Sequence, residues 1–311
     1  MDSENNDLIK VHFCPQCGKK IETAGNFCPD CGAPLSVNVK EEQVVETKSF
    51  YVKKLPVIAI ICVTLFSLLG AGIAEEMQVV SFTGLILLGC APPIALLFYI
   101  YRLDRIEPEP TGLIIMLMIF GALSIIPPVI VGSVFDMFCD ILGVSRETTL
   151  YMLIENFLAV ALIEESSKYL VVKKLTWKHP AFNYRFDGVV YAATASLGFA
   201  LLENIIYIAE SGIGTGIARA ATAIPGHCMF GIYMGYYYGQ AKSMELDGKP
   251  DEAKALRKKG LLMAVLIHGS YDFLCGYPSF LTVILFLVFV VVLNVMAYIN
   301  VNRYSASDRK L

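Results

Sequence analysis

From residue 55 to residue 301 the chain repeats one pattern, a long apolar run, a short polar break, then another apolar run. About 20 mostly apolar residues, each rising 1.5 Å, cross the roughly 30 Å hydrocarbon core of a bilayer, so each run is read as one membrane span. The runs fall at 55–74, 79–101, 111–135, 149–172, 188–210, 218–240, 260–276 and 279–301. The expected fold class is an all-α polytopic membrane protein, a bundle of about eight transmembrane helices. Paired prolines at Pro92–Pro93 and Pro127–Pro128 are expected to break the second and third spans, which is tolerated where protein or a water-filled cavity satisfies the freed backbone groups.

The first fifty residues do not follow this pattern. They are polar and carry cysteines, without the charged n-region, apolar h-region and small-residue cleavage site of a secretory signal. The first apolar run is therefore expected to stay as an anchor. Residues 35–50, "LSVNVKEEQVVETKSF", lack both helical periodicity and turn signals and read as a linker. The expected organisation is a small module at 1–34, a linker at 35–54, a membrane domain at 55–302 and a tail at 303–311.

Composition supports the class and removes one alternative. Hydrophobic residues make up 56% and charged residues 17%, with a mean hydropathy of +0.59, far from a soluble domain's balance. A net charge of -3 and a pI near 5.9 leave no basic field for nucleic acid. The lipid bilayer is the expected partner and nucleic acid is not. With the N-terminus inside, the inner flanks hold eighteen lysines and arginines and the outer flanks two, Arg146 and Arg219. That asymmetry predicts a multi-pass cell-membrane protein with both termini cytoplasmic.

In "CPQCGKKIETAGNFCPDCG", Cys14, Cys17, Cys28 and Cys31 form two C-x-x-C pairs, each flanked by proline and glycine. Four thiolates suit tetrahedral Zn²⁺, and a reducing cytoplasm argues against disulfides, so a zinc ribbon with structural zinc is expected. The module is too small to hold a core without metal. The remaining cysteines, Cys62, Cys90, Cys139, Cys228 and Cys275, lie in or beside apolar runs and are assigned to packing.

Ionisable groups inside spans carry the candidate chemistry. Each costs on the order of 2.5–3.5 kcal/mol on insertion scales, so several together call for an explanation. Span four, "AVALIEESSKYLVVKK", holds Glu164, Glu165 and Lys168; span five holds Glu203, with Asp187 at its mouth; span six holds His227; span seven holds His268 and Asp272. Glu164 and Lys168 are four apart and can pair along one helix face. Glu165, turned by roughly 100° from Glu164, is expected to find its partner on another helix. His227 begins a four-residue step through Gly231, Gly235 and Gly239, a row that permits close helix packing and keeps the imidazole off lipid. Asp272, four after His268, can accept that ring's second N–H. A carboxylate to take a proton from water, beside imidazoles or a metal to hold it, suits hydrolysis of an amide.

E-E-x-x-K in span four, "FDGxxYxxxxxxGFAxxEN" in span five, a histidine in a glycine-rich span six and H-x-x-x-D in span seven together resemble the PrsW family of bacterial intramembrane proteases. The loop "LDRIEPEP" fits as well, and the resemblance covers roughly residues 95–290 in order. It implies a membrane-embedded peptidase, 55–302 being its protease domain, of the wider group that includes the CAAX prenyl (CAAX/Abi) proteases. That group is usually classed with metallopeptidases. The implied substrate is a membrane-anchored protein; family members of known role make the first cut in an anti-sigma factor. Carried onto this chain, Glu164 and Glu165 are the paired glutamates, with Glu165 the water-activating base. Glu203, His227 and His268 would position water or a divalent metal, Asp272 would stand behind His268, and Lys168 would steady Glu164. The chain departs from the CAAX prenyl proteases in having Lys168 where they have an arginine one position further on, and Glu203 where their second motif has histidine. Both departures argue against prenylated substrates.

Two other readings use the same residues. A proton-coupled transporter would use the Glu, His and Asp chain as a relay, and a receptor would recruit partners through the ribbon. Helical rise puts Glu165 and His268 roughly 12–14 Å above the inner basic residues and Glu203 nearer 23 Å, so they need not meet unless span five tilts or begins deeper.

Overall fold

The computed structural model describes residues 12–13, 20–21, 82–277 and 279–311, within two compact units, Met1–Lys53 and Lys54–Leu311. In the first, strands β1 (His12–Phe13) and β2 (Lys20–Ile21) pair antiparallel, with His12 opposite Ile21 and Phe13 opposite Lys20. Cys14, Cys17, Cys28 and Cys31, the linker, Cys62 and the first expected span lie outside the described residues.

The described part of the second unit is helical: α1 (Phe82–Leu103), α2 (Thr111–Leu123), α3 (Ile126–Ile141), α4 (Thr149–Ile154), a π-helical stretch (Glu155–Ala161), α5 (Leu162–Thr176), α6 (Asp187–Ala221), α7 (Ala223–Leu246), α8 (Pro250–Gly276) and α9 (Phe280–Ala306). Local chemistry sets several ends. The Thr148 side chain accepts from Tyr151 N at 3.2 Å and caps α4. Pro250 opens α8 with Asp251 and Glu252 in its first turn, where a missing N–H costs nothing and acids meet the positive end of the helix dipole.

The two proline pairs behave differently. Pro127–Pro128 lie in the first turn of α3, and the expected third span is divided there into α2 and α3. Pro92–Pro93 lie inside α1, which runs through them without interruption, so the expected break in the second span is not found.

Three helical stretches are long and apolar enough to cross a membrane, Thr111–Ile141, Asp187–Ala221 and Phe280–Ala306. Their burial separates their positions. The most apolar window is 72% buried in α6 and 11% buried in α9, so α6 is the central element and α9 a peripheral one. Every residue from Asp187 to Ala200 is buried, because α6 is surrounded by α1, α2, α5 and α7. α9 instead presents Leu281, Leu287, Val291, Val295 and Ile299 outward, an apolar surface suited to lipid. The chain is a membrane protein by this surface. The expected spans at 149–172, 218–240 and 260–276 are also helical, but polar side chains interrupt their apolar windows.

Glycine backbones let α6 and α7 approach closely. A Cβ added at Gly235 would lie 2.6 Å from Val189 Cα, one at Gly188 2.6 Å from Gly239 N, and one at Gly231 2.8 Å from Ala193 Cα. The obstacles are backbone atoms, which cannot swing aside. Gly235→Ala should therefore cost about 1–3 kcal/mol, whereas Gly112→Ala, whose added carbon meets nothing within 4 Å, should be neutral or gain about 0.5–1 kcal/mol. Thermal melts of the two variants in detergent measure the contrast; equal midpoints would contradict the close approach.

Candidate active site

Span four is not a uniform α-helix. The wider turns of Glu155–Ala161 precede α5 directly, and Glu164 and Glu165 stand in the first turn of α5. Such turns carry an extra residue and re-aim the side chains that follow. The π-helical stretch packs on α8, where Gly269 leaves room for Phe157; a Cβ on Gly269 would lie 2.5 Å from that ring. This contact puts His268, the preceding residue, against α5.

Lys168 sits at the middle of the cluster, 1% exposed. Its ammonium donates to Glu165 Oε1 at 2.7 Å, to Glu164 Oε2 at 3.2 Å and to His227 Nδ1 at 3.1 Å. An ammonium has three N–H donors and each has an acceptor here. The charge also lies 3.9 Å from the centre of the Phe199 ring, an attractive cation–π arrangement. The expectation that Glu165 would depend on another helix is corrected in part. Lys168, three positions on, lies nearer to Glu165 than to Glu164, because residues three apart also share a helix face. Glu165 has a second partner on α8, His268 Nδ1 at 2.9 Å.

The two histidines differ in chemistry. Lysine only donates, so His227 Nδ1 must accept from it, and the ring proton resides on Nε2, which donates to Glu203 Oε2 at 2.8 Å. His227 is thereby fixed as the neutral Nε2–H tautomer. His268 faces carboxylates with both nitrogens, Nδ1 toward Glu165 and Nε2 toward Asp272 Oδ2 at 3.1 Å. A proton on Nδ1 finds an acceptor in Glu165, while Asp272 Oδ2 lies within ion-pair distance of Nε2 without a hydrogen bond to it. The rings of His227 and His268 lie edge to face with centroids 5.2 Å apart, and Phe230 stacks on His268 at 4.7 Å.

Glu203 joins this network despite its height on α6. His227 lies level with Phe199, ring centroids 5.5 Å apart, about one turn short of Glu203. Side chains tilt toward the N-terminus of their own helix. On the antiparallel pair α6 and α7 that tilt turns Glu203 and His227 toward each other and closes the gap. No deeper start of the helix is needed, since α6 begins at Asp187.

Arg219 is the residue that sequence reasoning placed elsewhere, as an outer flank charge. It forms an ion pair with Glu203 Oε2 at 2.6 Å and lies over the Tyr207 ring at 3.7 Å. The chain bends sharply at Gly212, where φ is 83° and ψ 178°, a conformation only glycine adopts readily. Gly216 then packs against the Ile208 side chain and Arg219 comes back over Glu203. The glycines of "SGIGTGIARA" were the only signal of that bend.

All seven residues singled out from the sequence thus fall in one network drawn from α5, α6, α7 and α8, five of them buried and Glu203 and Asp272 partly exposed at its edge. One oxygen at its centre, Glu165 Oε2, is buried without a hydrogen-bond partner among the described residues. Ligand atoms of Glu164, Glu165, His227 and His268 all lie within 4.8 Å of one another. Two imidazoles and two carboxylates are a donor set that fits a zinc-class ion. Glu203, expected among the ligands, instead binds the far side of His227, the position of a residue that orients a ligand. Three of the four donors also hold Lys168, so an ion on them and a charged ammonium would repel.

The residues 109–297 match the model of the family described as PrsW family intramembrane metalloprotease. The chain belongs to the PrsW family. It is 37% identical over 216 residues to Protease PrsW of Oceanobacillus iheyensis, covering 69% of this chain and 93% of the relative. It is 32% identical over 190 residues to Protease PrsW of Bacillus subtilis strain 168, covering 60% and 80%, and 29% identical over 231 residues to that of Clostridioides difficile, covering 73% and 94%. No solved structure matches the chain. As a PrsW member it is an intramembrane protease that acts on a protein. The matched segment holds every residue of the buried network.

Removing Lys168 would leave Glu164 and Glu165 without their cation. Lys168→Met should cost about 3–5 kcal/mol, the usual penalty for an orphaned buried charge. Arg219→Gln should cost less, since that side chain is 18% exposed and water can replace it. Melting in detergent orders the two variants, and a more damaging Arg219→Gln would contradict Lys168 as the organising cation.

Proposed function

We propose that the chain hydrolyses a peptide bond of a membrane-anchored protein, with Glu165 as the base that takes a proton from water. The observation that carries this reading is Glu165 itself. One oxygen is clamped by Lys168 and His268 while the other, at the centre of the network, keeps a free lone pair. The clamp fixes the carboxylate in one orientation, which is what a base poised in a dry site requires. His268 and Lys168 supply positive charge beside the oxyanion that forms when water attacks the amide. Asp272 places a carboxylate within ion-pair reach of His268, while Glu203, backed by Arg219, holds His227 in its Nε2–H form.

We further read Glu164, Glu165, His227 and His268 as the residues that would hold a divalent ion in place of the Lys168 ammonium, which three of them bind in this structure. Such an ion, when bound, acidifies water and polarises a carbonyl. The Zn²⁺ expected on Cys14, Cys17, Cys28 and Cys31 belongs to a structural ribbon in this reading. Eight spans with both termini in the cytoplasm are supported by the eighteen-to-two charge asymmetry, and Arg219, one of the two exceptions, is neutralised by Glu203. The substrate class is an anchored regulator of the anti-sigma type, on the resemblance of the motifs.

The test uses full-length protein in proteoliposomes with a membrane-anchored protein substrate. Glu165→Gln should lower the cleavage rate by about 10²–10⁴-fold, and cleavage at the wild-type rate would refute the assignment. Metal analysis checks the ion separately. Wild type should hold one more zinc-class ion per chain than the His227→Gln/His268→Gln double variant, and equal contents would remove the membrane-site metal.

A further inference from the structure

A second carboxylate cluster lies outside the network just described. Asp104 follows the end of α1, Glu109 stands in the loop before α2, and Asp187 is the first residue of α6. They are 6%, 4% and 0% exposed, and one oxygen from each lies within 4.8 Å of the others. Three buried acids this close repel one another and are stripped of water, so either a bound cation or shared protons must offset their charge. In the first cluster Lys168, Arg219 and the imidazoles fill that role. Here, among the described residues, no lysine or arginine forms an ion pair with any of the three.

The hydrogen bonds leave specific oxygens unused. Asp187 Oδ2 accepts from Asn183 N at 2.9 Å and Tyr184 N at 2.7 Å, and Glu109 Oε2 accepts from Tyr191 OH at 2.6 Å. Asp187 Oδ1 and Asp104 Oδ2 are buried with no hydrogen-bond partner among the described residues. Their surroundings are fixed rather than loose: Tyr101 OH donates to the Glu109 carbonyl at 3.0 Å, and Asn183 Nδ2 donates to Glu107 Oε2 at 3.1 Å. Burial, with neighbouring carboxylates adding to it, pushes the Asp104 carboxyl up to about 6 and the Glu109 carboxyl up to about 7.

We propose that Asp104, Glu109 and Asp187 form a binding site for a hard divalent cation of the Ca²⁺ or Mg²⁺ class, distinct from the peptidase network. The donors are all oxygen, the preference of hard cations, with neither thiolate nor imidazole to favour zinc. The oxygens lie no more than 4.8 Å apart, within the spread that ligands about 2.3–2.6 Å from one Ca²⁺ can take. Bound there, the ion ties the "LDRIEPEP" loop to the first turn of α6, one residue before Gly188 meets α7. The site makes the seating of the central helix depend on cation concentration, and it stands whether or not the peptidase assignment does.

The experiment is a thermal melt of the full chain in detergent with Ca²⁺, with Mg²⁺ and with neither, for wild type, Asp104→Asn, Asp187→Asn and Glu165→Gln. Wild type and Glu165→Gln should gain about 5 °C at a hundredfold excess of ion over Kd, and the two Asn variants should gain nothing. Electron paramagnetic resonance with Mn²⁺ as probe, on wild type and on the His227→Gln/His268→Gln double variant, should find in both a tightly held ion without nitrogen coupling, which decides the matter even if an Asn variant fails to fold. No gain in wild type, an equal gain in the Asn variants, or bound Mn²⁺ that is all coupled to nitrogen would each overturn the site. The first of these would leave the carboxyls sharing protons instead.

Discussion

An ammonium ion inside an apolar bundle must have all three of its protons accepted, and the Lys168 side chain meets that demand with atoms from two helices. Glu164 and Glu165 on α5 and His227 on α7 take one proton each. From these contacts the constraint spreads outward. Glu165 reaches His268 on α8, and His227 reaches Glu203 on α6. Apolar helix faces alone would tolerate sliding by a turn, since one leucine packs much like another. A buried charge would not, because a turn's shift moves its partners about 5.4 Å away. The cluster therefore registers four helices against one another as well as assembling a reactive site.

Such registration requires backbones to come close enough for short polar side chains to meet. Gly231 and Gly235 bring α7 onto α6, and Gly269 admits Phe157 beside His268. The polar network and the glycine seams depend on each other: the seams set the distance, and the hydrogen bonds select the register at that distance. Gly212 contributes differently, through a bend that returns Arg219 to Glu203. That places a positive charge at the outer limit of the network, balancing a carboxylate that Lys168 does not touch.

The molecule treats its buried acids in two contrasting ways. The four carboxylates of the peptidase network share a lysine, an arginine and two imidazoles, and this mixture of fixed charge and titratable rings suits proton transfer. Among the described residues, Asp104, Glu109 and Asp187 meet a tyrosine, backbone amides and one another. A set of oxygen donors of this kind is well made for holding a hard cation. The two clusters lie on opposite stretches of α6, with the helix buried on all sides from Asp187 to Ala200 between them.

Much of this could be read from the chain itself. Apolar runs long enough to span a bilayer identify helices, because the backbone has no other way to satisfy its hydrogen bonds in hydrocarbon. Ionisable residues within those runs mark the site, since their cost is too high without a purpose; Glu164, Glu165, Lys168, Glu203, His227, His268 and Asp272 were all visible on that ground. Spacing along one helix was legible too, though it needed to be counted at three as well as four to join Lys168 to Glu165. Only the tertiary structure could decide what crosses between helices. The meeting of Glu203 with His227 depends on two opposed side-chain tilts, the return of Arg219 on a single glycine's backbone angle, and the gathering of Asp104, Glu109 and Asp187 on residues up to eighty-three positions apart in the chain. Those arrangements come from how helices stack, and a one-dimensional pattern carries the period of each helix but not the rotation and height of one helix beside the next.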